Sequence, residues 1–229
     1  IAPSLAMTIR ESPGQALRLS DSIAAILLLF WLNILALYAL PLALATAPPY
    51  EQGKGASRMK HWLTVIGIGE DGLDGLGKTA LAALESAAVI FGGKRHLDFL
   101  SDGIKAELLA WPSPFDEAFA MIEAYRGQPT VVLASGAPMF FGVGATLSRH
   151  FSSDEMLVLS YSSSLSLAAA RMGWSLQDVR TVSVHGRPFE LLLPYILPGE
   201  KLLVLSNDGS TPAKAAAMLK DRGFGQSLI

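Results

Sequence analysis

Apolar residues in this chain gather in short runs that end in glycine or serine, with longer stretches of helical character between them. WLTVIGIG (62–69), Val89-Ile90-Phe91, Thr130 to Ala134, Met156 to Ser160, Val179 to Val184 and Lys201 to Leu205 read as strands. The intervening helices are predicted over Leu76 to Ala88, over Phe115 to Tyr125, from about Ala145, over Leu165 to Met172, and over Thr211 to Asp221. Asp116 and Glu117 in a first turn suit the helix dipole, and Pro212 suits the first turn of the last helix. Strands alternating with helices predict an α/β architecture with mostly parallel sheets. In such sheets ligands sit at the carboxyl ends of the strands, where this chain places its glycine-rich turns.

One stretch breaks the pattern. Ile23 to Leu40 (IAAILLLFWLNILALYAL) carries no charge and approaches the ~20 residues that span a bilayer. Pro41 and LALATAPP follow, with Ala45-Thr46-Ala47 resembling a signal-peptide cleavage site. Residues 48–58 have linker composition, and Met59-Lys60-His61-Trp62 then leads directly into the first strand. Residues 1–58 are therefore expected to be an extension upstream of the working protein, with a membrane anchor or a cleaved signal as alternatives. If the segment is native, Arg10 and Arg18 favour a cytoplasmic N-terminal side. Without it, the expected location is the cytoplasm. Residues 59–155 are expected to form a first α/β subdomain and 156–229 a second.

The composition excludes several classes of chemistry. Of the 229 residues 17% are charged, mean hydropathy is +0.38, and the net charge of −2 argues against broad nucleic-acid binding. The absence of cysteine removes disulfides, thiolate catalysis and cysteine-ligated metals. His61, His96, His150 and His185 lack metal-ligand spacing, so no metal site is expected.

Five stretches could carry chemistry. In VVLASGAPMFFGVGATL (131–147) a strand breaks at Ser135-Gly136-Ala137-Pro138, and Gly142 and Gly144 open the next helix, an arrangement that faces backbone N–H groups toward a ligand. Gly67 and Gly69 begin a loop whose Glu70, Asp71 and Asp74 would repel a pyrophosphate and suit a cationic or zwitterionic ligand better; the alternative is a tight turn that merely joins strand to helix. Lys94, Arg95 and His96 follow a strand end and could meet carboxylates, or simply be solvated. Ser162, Ser163 and Ser164 precede a helix, where one would act as N-cap and others could reach a ligand. His185 and Arg187 in SVHGRP offer a proton-transfer group and an anion partner, and NDGSTP (207–212) reads as a turn and cap at the same sheet edge.

Taken in order, VIGIGEDGL, GGKRHL, WPSPF, VVLASGAPMFFGVGATL, SLAAARMGW, VSVHGRP, LLVLSNDGSTPA and GFG resemble the tetrapyrrole methyltransferases, and within them the precorrin-6Y methyltransferases of cobalamin biosynthesis. The likeness is to the N-terminal, C5-methylating half of the bifunctional C5,C15 decarboxylating form, over about residues 61–225. It implies two α/β domains with S-adenosylmethionine (SAM) in the cleft between them, a boundary near residue 155, and methylation of C5 of a precorrin ring. The implied SAM contacts are Gly67, Gly69, Ser135, Gly136, Ala137, Phe140, Ser163, Ser164, Val184, His185, Thr211 and Pro212. Lys94, Arg95 and Arg187 would meet the carboxylates of the tetrapyrrole, His185 would assist proton loss, and a homo-oligomer is implied.

Three departures qualify the resemblance. Ala137 stands where the family's loop has Asp, and Ser160-Tyr161-Ser162 stands where prolines are usual. The family continues past GFG with another strand, so the second subdomain is expected to be incomplete and the C15-methylating domain absent. Two other readings stay open: a degenerate methylase domain acting as an interaction module, and a nucleotide-dependent oxidoreductase.

Overall fold

The structure, a computed structural model, describes residues 4–10, 61–100 and 103–229. Its strands are β1 (Ser4–Thr8), β2 (Leu63–Ile68), β3 (Val89–Gly92), β4 (Glu107–Ala110), β5 (Thr130–Ser135), β6 (Met156–Leu159), β7 (Arg180–Ser183) and β8 (Lys201–Leu205). The helices are α1 (Lys78–Ser86), α2 (Lys94–Leu97), α3 (Glu117–Glu123), α4 (Val143–Leu147), α5 (Ser164–Met172) and α6 (Thr211–Asp221). The α/β class expected from the alternation is the class observed.

Five strands form one sheet in the order β4-β3-β5-β2-β6, with every neighbouring pair parallel. Its central strands are buried on both faces, which is why they read as unbroken apolar runs. Leu63, Val65, Val132 and Ala134 point to a layer built with Ile122 of α3 and Leu147 of α4. Ile66, Val131 and Leu133 point the other way, onto Ala80 and Leu84 of α1. The chain runs outward from β2 to β3 and β4, then returns to insert β5 between β3 and β2. That reversal opens a crevice at the carboxyl ends of β3, β5 and β2.

The second sheet has the order β1-β8-β7, with β7 parallel and β1 antiparallel to β8. Helix α6 covers one face through Ala215 and Leu219, and α5 covers the other through Leu165 and Ala169.

Two expectations are corrected here. Ser4–Thr8 does not lie outside the fold: it pairs with β8 over its full length, and Leu5, Met7 and Ile9 are buried in the core of the second sheet. The signal is a short period-two alternation, easily overshadowed by the far stronger apolar run that follows it. Arg10 is exposed, and Arg18 and the run 23–40 fall outside the described residues. The boundary near residue 155 also moves. β6 is hydrogen-bonded to β2, so the first sheet ends at Leu159 and the change of sheet comes after it. Among the described residues, no helix is long and apolar enough to cross a membrane.

Two elements between the recognised runs had no prediction. β4 is an edge strand with exposed positions and only four residues, and α2 is a single turn on the GGKRHL stretch.

Because Met7 is 1% exposed, Met7→Ala should lower unfolding free energy by about 2–5 kcal/mol in chemical denaturation; an unchanged midpoint would mean β1 is not part of the folded unit. A second expectation concerns the turn after β8. Asp208 accepts the Ser210 hydroxyl at 2.5 Å, the Ser210 N–H at 2.8 Å and the Asn207 side-chain amide at 3.0 Å. Those bonds, the Ser210 hydroxyl foremost, lower its carboxyl from the usual 3.8 to about 2. The stabilisation they bring is complete above about pH 4 and is lost as pH falls toward 2. Carboxyl-detected NMR titration should place the Asp208 midpoint near 2, and Ser210→Ala should raise it toward 3.8.

Candidate functional site

The end of β5 is pinned by its backbone. Gly136 takes a left-handed conformation (φ +59°), donates its N–H to the Ile68 carbonyl at 3.0 Å, and accepts the Tyr161 N–H at 3.0 Å. Gly67 lies directly beneath: a Cβ there would overlap the Gly136 carbonyl oxygen and come within 2.7 Å of the Tyr161 nitrogen. A Cβ on Gly69 would strike the Tyr161 ring and the Asp71 carboxylate, each at 2.5 Å, and the Tyr161 hydroxyl donates to Asp71. This glycine pair therefore makes room for neighbouring chain. Glu70 pairs with Arg95, so two of the loop's three acids are already engaged.

Beyond Gly136 the chain folds over Pro138. The Ala145 N–H donates to the Pro138 carbonyl at 3.2 Å, and a Cβ on Gly142 or Gly144 would come within 2.7 or 2.8 Å of Pro138 atoms. Phe140 and Phe141 stand out from this knot with ring centroids 4.8 Å apart and both rings exposed. Phe141 holds a left-handed backbone (φ +56°), an unusual conformation for a bulky residue.

A cleft of about 240 Å³ opens beside this loop. One wall is Leu133 to Ala137 with Phe140 and Phe141. His96 and Trp111 enter from the strand ends of the first sheet, Ser163 and Ser164 from the start of α5, and His185 and Leu205 from the ends of β7 and β8. The cleft thus lies between the two sheets, at the carboxyl ends of their parallel strands, where the topology predicts a ligand. Among the described residues its lining holds no carboxylate, lysine or arginine. Two imidazoles, three serines and three large aromatics make it polar but neutral.

Of the residues expected to contact a ligand, Ser135, Gly136, Ala137, Phe140, Ser163, Ser164 and His185 line the cleft. The Ser163 hydroxyl is occupied as an N-cap, accepting the Ser166 N–H at 3.0 Å, whereas Ser164 is half-buried. Gly67 and Gly69 fall outside the lining for the steric reason above. Val184 is buried in the second sheet's core. Thr211 is buried and turns its hydroxyl to the Asn207 and Asp208 N–H groups, with Pro212 following at the helix start.

The three cations stand near the lining without entering it. Lys94 and Arg95 are exposed on α2, and Arg95 lies 5.8 Å from the Phe99 ring. Arg187 crosses from the second sheet to sit 5.4 Å over the Phe141 ring, joining the two halves at the mouth.

The structure places Trp111, Phe141 and Leu205 on the lining beside the expected residues. Trp111 donates its backbone N–H to the Gly92 carbonyl at 3.1 Å, and its ring stacks on Phe91 with centroids 6.2 Å apart. His96 was visible only as one of three basic residues, yet its role differs from its neighbours': it is half-buried, with Nε2 2.8 Å from the Ser135 hydroxyl. Burial, reinforced by the adjacent Arg95 charge, lowers its pKa below the ordinary 6.5, with Glu70 opposing. No three metal-binding side chains gather among the described residues.

Comparison with known proteins identifies the family. The tetrapyrrole (corrin/porphyrin) methylases as a family match residues 62–226. A precorrin-6Y C(5,15)-methyltransferase (decarboxylating) from Sinorhizobium sp is 51% identical over 168 residues, covering 73% of this chain and 41% of that protein. The chain thus spans about two fifths of the length of that relative. A cobalt-precorrin-7 C(5)-methyltransferase from Salmonella typhimurium is 32% identical over 170 residues, covering 73% of this chain and 82% of that protein. A crystal structure of a precorrin-6Y methylase of cobalamin biosynthesis from Archaeoglobus fulgidus superposes with a TM-score of 0.49 at 27% identity, over 63% of this chain and 72% of that one. With the family's pattern running through both sheets and every wall of the cleft, the chain belongs to the tetrapyrrole (corrin/porphyrin) methylases.

Proposed function

We propose that this chain is a SAM-dependent C-methyltransferase that methylates C5 of a precorrin-6Y-type ring in cobalamin biosynthesis. The observation that carries the reading is the position and lining of the cleft: it opens between the two sheets, and seven of the residues that the resemblance implies as ligand contacts form its walls.

The lining fits the cofactor in kind. Phe140, Phe141 and Trp111 present aromatic surface to an adenine ring or a sulfonium, both of which aromatic faces attract. Backbone and hydroxyl groups at Ser135, Gly136 and Ser164 can bond a ribose or an amino-acid group. The missing element is a carboxylate for the ammonium, because Ala137 occupies the position where the resemblance expects Asp. When bound, SAM supplies an activated methyl group that an electron-rich carbon displaces from sulfur.

The remaining work falls to placement. The two sheets hold donor and acceptor in one pocket, a contribution that reaches effective molarities of ~10⁵–10⁸ M in well-oriented systems. Arg187, over the Phe141 ring of the lining, and Lys94 and Arg95 on α2 would receive the acidic side chains of the tetrapyrrole, Arg95 on leaving its pairing with Glu70. His185 enters from the second sheet and would take up a proton as the ring is methylated. Action in the cytoplasm is part of the same reading.

Isothermal calorimetry with S-adenosylhomocysteine tests the reading directly. We expect saturable one-site binding, and Ala137→Asp is expected to tighten it by about tenfold through a new ion pair with the ligand ammonium. A folded protein that binds neither as it stands nor with Ala137→Asp would point instead to a methylase fold retained as an interaction module.

A further inference from the structure

His96, on the short helix α2 that follows β3, meets Ser135, the last residue of β5, at the cleft wall, with Nε2 and Oγ 2.8 Å apart. The other ring nitrogen, Nδ1, is buried and has no hydrogen-bond partner among the described residues. It lies against Gly93, where an added Cβ would sit only 3.6 Å away.

This asymmetry separates the three protonation forms of the ring. The imidazolium would place a positive charge in a half-buried position beside Arg95 and would leave a buried Nδ1–H without an acceptor. The neutral Nδ1–H form leaves the same orphaned N–H. The neutral Nε2–H form leaves only an unfilled lone pair, which folded proteins tolerate better than an orphaned donor. In that form Nε2–H donates to Ser135, whose oxygen then has its own proton to place. Ser135 is exposed on the cleft wall and makes no other side-chain hydrogen bond among the described residues.

We propose that His96 is a positioning residue: held as the neutral Nε2–H tautomer, it donates to Ser135 and turns the serine hydroxyl hydrogen into the cleft to recognise a hydrogen-bond acceptor of the ligand. The proposal deepens the reading of this cleft as a SAM site and rests on it for the ligand's identity. The acceptor is a carboxylate oxygen of the amino-acid end or a ring nitrogen or oxygen of the nucleoside end.

The tautomer is measurable without any ligand. Long-range ¹H–¹⁵N NMR on the folded, unliganded protein should show His96 protonated on Nε2; protonation on Nδ1 would overturn the proposal. Calorimetry with S-adenosylhomocysteine supplies the second readout. Ser135→Ala and His96→Leu should each weaken binding by about tenfold, and the double variant no further, because both remove one hydrogen bond. His96→Gln, which restores an N–H donor, should recover most of the affinity. Additive losses, or a Ser135→Ala protein that binds as tightly as the unchanged one, would overturn the proposal while leaving the SAM reading intact. If the unchanged protein fails to bind S-adenosylhomocysteine, the functional reading falls and the tautomer spectrum alone decides whether His96 directs Ser135. Should His96→Leu fail to fold, Ser135→Ala, His96→Gln and the spectrum still decide. Repeating the titrations with 5′-methylthioadenosine, which lacks the amino-acid end, tells which acceptor is read. A loss retained there places it on the nucleoside, and a loss abolished there places it on the carboxylate.

Discussion

The contact on which the cleft depends is a backbone crossing with no side chain in it. The Gly136 carbonyl lies so close over Gly67 that any Cβ at 67 would overlap it. From that position Gly136 bonds both to the end of β2 and to the chain leaving β6. Three segments distant in sequence are thereby locked together at one edge of the sheet. Much of the cleft hangs from them: Ser135 immediately before the crossing, Ala137 and the Phe140-Phe141 pair after it, and Ser163 and Ser164 two and three residues past Tyr161. A methyl group on Gly67 would have to push the crossing apart, and the wall of the cleft would move with it. The acidic loop after β2 then reads as a brace, since Asp71 holds the Tyr161 hydroxyl and Glu70 holds Arg95.

The opposite wall depends on the second sheet staying whole. His185 and Leu205 reach the cleft only because β7 and β8 lie parallel and end together. β8 sits between β7 and β1, so its backbone is paired on both sides. With α5 on one face and α6 on the other, the sheet is closed in every direction except along its edges. The strand that completes it comes from the opposite end of the sequence, and Thr8 also bridges to Leu228 near the C-terminus. Apolar residues at 5, 7 and 9 thus support a site more than a hundred residues away.

How much of this was legible follows from where each signal resides. Fully buried parallel strands announce themselves, so β2, β5 and β8 were read within a residue or two. β4 was missed because an exposed edge strand of four residues lacks both length and alternation. β1 was missed for the reason that masks many short strands: five residues of period two carry little weight beside a long uncharged run. Among site residues, Ser135, Gly136 and His185 were legible because glycine turns at strand ends mark sheet edges. Gly67 and Gly69 were equally conspicuous, yet a glycine that admits a ligand and one that admits a neighbouring carbonyl look alike in sequence. Thr211 follows the turn-and-cap reading of its stretch, with its hydroxyl turned to its own turn's N–H groups. His96 directly follows two exposed cations, Lys94 and Arg95, and only the fold shows that it alone of the three turns inward.

The distribution of charge gives the cleft its character. Its lining is neutral, while cations stand just outside it on α2 and after β7. Within a neutral, partly enclosed space, a single hydrogen bond discriminates more sharply than in water, because the competing solvent is thinned and the local dielectric is low. Acidic groups on a large substrate can be met at the rim, where cations remain hydrated and cost little to maintain. The interior is then free to recognise its ligand by shape, aromatic surface and a few directed donors. Ala137 fits that economy in one respect, since it leaves no buried carboxylate needing a partner when the cleft is empty of ligand. On the proposed reading, orientation of the ligand would pass to the serine hydroxyls and their supports. A carboxylate attracts a cation over a broad range of angles, whereas a hydroxyl aimed by an imidazole accepts one geometry. Losing the acid therefore lowers the strength of attraction more than it lowers the precision of placement, and placement is what methyl transfer between two held reactants requires.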